Sequence, residues 1–134
     1  MKKLFLITGL IMILLAGCTD KNDLVTITAD PDFYTPSMSS VRGITMTPNF
    51  ETNNSYEDIV YHWKTAEGEF IGAGKETKNQ GEAVIWSAVE NDELAEINEP
   101  FDINLAVIDN NSAEILAYTA LTITPDNGFY KVEE

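Results

Sequence analysis

Cysteine is almost missing from this chain, with Cys18 alone among 134 residues. One cysteine cannot close an intrachain disulfide. With a single histidine, His62, beside it, it cannot assemble the usual Cys/His ligand set of a zinc site either. Basic residues are scarce too: eight Lys and Arg stand against 22 Asp and Glu, a formal charge of −14. Lys2 and Lys3 lie in the first segment, and leaving them out takes the balance from −14 to −16. Such a surface repels phosphate backbones, so no nucleic acid is expected as a partner, and it repels an anionic bilayer as well. The acids are scattered along the chain, as on a solubilising surface, and not gathered in blocks. A GxSxG elbow, a phosphate-binding glycine loop and EF-hand spacing are all missing, so the chain is read as no enzyme, with no catalytic residue, no metal and no cofactor. No internal repeat is seen, and no stretch carries the period of an ordinary helix.

What is present begins with a targeting pattern. Lys2 and Lys3 precede LFLITGLIMILL (4–15), an apolar run well short of the roughly 20 residues of a membrane span. Next comes LAGC (15–18), with small residues at 16 and 17 directly before Cys18. This resembles the lipobox of bacterial lipoproteins. The resemblance implies cleavage before Cys18, a diacylglyceryl thioether on its sulfur, often a third acyl chain on the new amino group, and hence a stable anchor. The expected organisation is a lipoprotein signal peptide at 1–17, a lipidated Cys18 with a flexible spacer at 18–23, and one domain at 24–134. The expected location is the cell membrane or outer membrane, on the extracytoplasmic side, held by lipid and not by the protein's own face.

From residue 24 onward, short alternating segments are each closed by Gly, Pro, Asn or Asp. LVTITA (24–29), VRGITMT (41–47), EDIVYHWKT (57–65), EFIGAG (69–74), EAVIWSAV (82–89), FDINLAVID (101–109) and ILAYTALTIT (115–124) read as strands. KETKNQG (75–81) reads as a loop, and ENDELAEINEP (90–100) as one helical turn pinned by Leu94 and Ile97. DNG (126–128) predicts a tight turn that folds FYKVEE back on the sheet. The fold class expected is all-β, a single immunoglobulin-like antiparallel β-sandwich of about seven strands. YHWKTAEGEF (61–70), followed by FDINLAVIDNNSAEILAYTALTIT, resembles the immunoglobulin-like domains of bacterial surface proteins, especially the PKD-like group. Tyr61, Trp63, Phe101, Ile103, Leu105, Val107 and Asp109 stand at the matching positions. Ala66, Glu67 and Gly68 replace that group's usual Gly-Asp-Gly turn.

Candidate sites are few. His62, on the strand face opposite Trp63, is expected to meet solvent beside Lys64. Trp63 is expected in the core, whereas the neighbours of Trp86 leave both faces open. DPD (30–32), ENDE (90–93) and DNNSAE (109–114) offer oxygens to calcium, but they are expected to serve their own turns. NNS at 53–55 and 110–112 matches a glycosylation acceptor and reads as turn. The functional expectation is a non-enzymatic, lipid-anchored module that binds another envelope or extracellular protein through loops 30–40, 48–56 or 90–100. The alternative is an inhibitor or regulator of an exported protease or cell-wall hydrolase.

Overall fold

Strands form where apolar and polar residues alternate, because successive side chains point to opposite faces. The computed structural model describes residues 23–38 and 40–133. Within them run β1 (Leu24–Asp30), β2 (Phe33–Tyr34), β3 (Ile44–Glu51), β4 (Ile59–Thr65), β5 (Glu69–Phe70), β6 (Glu76–Asn79), β7 (Val84–Ser87), β8 (Val89–Glu90), β9 (Glu93–Leu94), β10 (Phe101–Asp109), β11 (Glu114–Asp126) and β12 (Phe129–Glu133). In β10 the alternation is complete, with Phe101, Ile103, Leu105 and Val107 buried and the residues between them turned outward. No helix among the described residues is long and apolar enough to cross a membrane.

The strand expected over 69–74 stops at Phe70, and 71–74, rich in glycine, form a turn; two further segments differ from expectation. Residues 76–79 are not loop but edge strand β6, paired with β4 from Tyr61↔Asn79 to Lys64↔Glu76. An edge strand with charged outward residues carries little hydrophobic signal, and charge there discourages pairing with other chains. Residues 90–97 make no helical turn. β8 and β9 form a hairpin whose corner residues Asn91 and Asp92 have φ of 54° and 66°, the left-handed backbone that Asn and Asp tolerate. Leu94 and Ile97 therefore part company: Leu94 is 69% exposed and Ile97 is buried. At the C-terminal hairpin, Asn127 and Gly128 take φ of 52° and 83°, and β12 folds back along β11 as expected.

The strands pack as two antiparallel sheets, ordered β1-β3-β7-β5 and β2-β12-β11-β10-β4-β6, with β8-β9 as a separate ribbon. The seven strands expected from the pattern are all present. The extra ones are short or lie at sheet margins, where alternation is weakest. Register defines two ends of the sandwich: Leu24 pairs with Glu51 at one, and Asp30 pairs with Thr45 at the other. The seven residues of β1, at about 3.3 Å each, separate these ends by roughly 20 Å.

The N-terminal end is tied down. Asp23, placed in the spacer by the sequence, accepts hydrogen bonds from Thr52 Oγ1, Asn54 Nδ2 (3.2 Å) and Tyr56 OH (2.5 Å). It belongs to the folded domain. Residues 1–17, expected as a signal peptide, Cys18 and residues 19–22 lie outside the described residues. Between the ends lies a core built around two fully buried tryptophans, Trp63 and Trp86. Each tryptophan buries enough apolar area to be worth about 5 kcal/mol before entropy is counted.

Candidate functional site

The far end is assembled on Trp86. Its ring meets Tyr130 (5.3 Å between centroids), Phe101 (5.4 Å) and Tyr34 (6.2 Å), and its Nε1 donates to Glu67 O at 2.7 Å. Thr65 Oγ1 donates to the same carbonyl at 2.6 Å. The turn between β4 and β5 is thus held against the indole, and Gly68 completes it at φ 68°. A Cβ at Gly68 would stand 2.5 Å from Ser87 O and 2.7 Å from the Trp86 ring, so only glycine fits. Gly43 is constrained by proximity alone, since a Cβ there would lie 2.1 Å from Trp86 O. That close approach fixes the point where Arg42 leaves the sheet.

A charged clasp joins the β8-β9 hairpin to this turn. The Glu90 carboxylate accepts the Gly68 N–H at 2.9 Å and pairs with Lys75 Nζ, and Lys75 also donates to Gly68 O at 3.2 Å. The Lys75 hydrogen bond, with the Gly68 amide adding to it, holds the Glu90 carboxyl below its ordinary value against the opposing effect of burial.

Around Arg42 these elements leave two adjoining hollows. One, of about 600 Å³, is bounded by Arg42, Glu69, Phe70, the 71–74 turn, Val89 and Asp92. The other, of about 370 Å³, is bounded by Asp30, Pro31, Val41, Arg42, Thr45 and Ile85. Arg42 is the chain's sole arginine. It is exposed and makes no ion pair among the described residues. Leu94 and the stacked pair Phe33 and Phe129 (4.6 Å) are also exposed at this end.

Of the three loops expected to bind, 30–40 and 90–100 therefore border one surface, whereas 48–56 lies at the opposite end beside Asp23. The sequence reading passed over Arg42 and the 71–74 turn; a lone arginine next to a glycine in so acidic a chain was the available signal.

His62 sits on the outer face of β4 beside Lys64, as expected, but it is not turned freely to solvent: Glu76 Oε2 on β6 is 2.5 Å from its Nε2 and the histidine side chain is 16% exposed. That hydrogen bond, helped by Lys64 at 4.0 Å, lowers the Glu76 pKa. No group of three or more His, Cys, Asp or Glu suited to a metal occurs among the described residues. Of the oxygens weighed for calcium, Asp109 Oδ1 accepts the Asn111 N–H of its own turn at 3.0 Å, and Glu90 is held outside its turn by Lys75 and the Gly68 amide. The two NNS stretches lie in turns at the N-terminal end. Trp86, left open by the sequence, is core and not a surface stacking platform.

Compared with protein-family models, curated proteins and solved structures, the chain matches none. What the fold defines is the class: an all-β protein whose two antiparallel sheets face one another.

Proposed function

We propose that this protein is a non-enzymatic, lipid-anchored interaction module of the bacterial envelope, held through Cys18 on the extracytoplasmic side of a membrane. The observation that carries the reading is the separation of its two ends. Asp23, five positions after Cys18, is fixed at one end, and the two hollows beside Arg42, which makes no ion pair among the described residues, lie at the other with exposed Leu94, Phe33 and Phe129; Leu24 and Ile115 are the exposed apolar residues of the first end. An anchor at Cys18 would hold the first end near the bilayer and present the second outward to a protein partner, where loops on a rigid sandwich are well placed to bind. The immunoglobulin-like, PKD-like relationship is part of the proposal. The orders β1-β3-β7-β5 and β4-β10-β11 support it, since they correspond to the ABED and CFG sheets of that architecture.

A second reading is favoured by the β8-β9 hairpin, whose acidic corner and exposed Leu94 could enter the active site of an exported protease or cell-wall hydrolase as an inhibitor. Two experiments test these readings. Intact mass and fractionation of wild type and Cys18→Ala should show acylation and membrane retention in the first only; an unmodified, membrane-free wild type would end the anchored reading. Capture from the organism's envelope and secreted fractions, with mass spectrometry, should enrich one specific protein. A hydrolase whose activity falls on addition of the domain would select the inhibitor.

A further inference from the structure

We infer that the larger hollow beside Arg42 binds a monocarboxylate joined to a small apolar group, as offered by a peptide C terminus or by a free short-chain acid. The inference rests on the reading of the far end as the binding end and names the ligand chemistry there. A guanidinium presents a planar fork of donors matched to two carboxylate oxygens, and the donors of Arg42 are uncommitted among the described residues. Buried Phe70 and half-buried Val89 bound the hollow and Ile71 stands exposed at its margin, so an apolar group beside the carboxylate would be sheltered from water. Gly72 and Gly74 take φ of 81° and 78°, and a Cβ at either would meet nothing within 4 Å. Their backbone is thus open to close approach. Glu69 and Asp92 on the same walls set the charge limit. Two carboxylates against one guanidinium leave the walls net negative, so an anion is held here only through the directed hydrogen bonds of the Arg42 fork, and a phosphate dianion is repelled more strongly than a monocarboxylate. The hollow's size lies within the range of small-ligand sites.

The test is amide-resolved NMR of the full chain in detergent micelles, titrated with N-acetyl-leucine, N-acetyl-leucinamide, hexanoate and inorganic phosphate. N-acetyl-leucine should shift the amides of Gly72, Gly74 and Val89. Replacing its carboxylate by the amide should weaken binding about tenfold, the worth of one charge-assisted pair. Arg42→Gln should cause a similar loss, and Arg42→Lys an intermediate one, because charge is kept and the fork is lost. A stronger response to N-acetyl-leucine than to hexanoate assigns the site to a peptide terminus, and the reverse order to a free acid. Equal binding of the amide, stronger binding of phosphate, or an Arg42→Gln protein that responds like wild type would each overturn the inference. The titration gives its answer whether or not capture identifies a protein partner, so the two readings fail separately.

Discussion

Trp63 and Trp86 are equally buried, and their surroundings differ. Trp63 packs edge-on against Phe70 at 6.2 Å, and its Nε1 has no hydrogen-bond partner among the described residues. Trp86 meets three aromatic rings and gives its N–H to the backbone of the 65–68 turn. The first fills volume between the sheets. The second fills volume and also sets the position of loops, because the turn it holds carries the clasp to the β8-β9 hairpin and its backbone oxygen limits where Gly43, and therefore Arg42, can run. A core residue can thus shape the Arg42 end without lining either of its hollows.

The sharpest way to break the Trp86 side is Gly68→Ala. The new Cβ meets the indole and a backbone oxygen, and the left-handed backbone adds its own penalty, so a loss of about 2–4 kcal/mol is expected in urea unfolding. A loss under about 1 kcal/mol would mean that the turn moves away from the ring at little cost. The next test compares the two tryptophans directly. Trp86→Phe and Trp63→Phe remove the same volume, but the first breaks a hydrogen bond and the second deletes an unpartnered donor. Trp86→Phe should therefore be the more destabilising by about 2 kcal/mol; equal losses would erase the distinction drawn here.

The smallest effect belongs to the clasp. Glu90 has its folded pKa depressed, chiefly by Lys75, from an ordinary value of 4.5. Its contribution is therefore complete above that value and is lost as pH falls through the lower folded one. Being near the surface, the pair should be worth less than about 1 kcal/mol. Glu90→Gln should lower stability at pH 7 by that amount and leave it nearly unchanged at pH 2, as read from paired denaturation curves. An equal loss at both pH values would assign the effect to packing.

The same contrast explains what could be read from the sequence. FDINLAVID and YHWKT announce their strands and the inward place of Trp63, because period-two burial is written in consecutive residues. The face of Trp86 could not be read from Ile85 and Ser87. It depends on Gly68 and Glu67, some twenty positions away, which reach the ring only after the sheets have packed. β6 was missed because its outward residues, Glu76 and Lys78, answer Lys64 and His62 across the strand pair and not a hydrophobic core. The Asn91-Asp92 corner resembled helix because Leu94 and Ile97 have helical spacing, whereas the backbone preference of Asn and Asp decided the outcome. Composition picked out loops 30–40, 48–56 and 90–100 alike; that the first and last meet at Arg42 while 48–56 lies at the other end is a property of strand order.

The central claim is that the end bearing Arg42 binds and the end bearing Asp23 does not. The most direct measurement is partner capture by three full-length proteins: wild type, Arg42→Glu with Leu94→Asp, and Asn53→Asp with Ser55→Asp. Loss of the captured partner in the far-end variant, with retention in the loop 48–56 variant, is the expected result. Retention in the first and loss in the second would contradict the account.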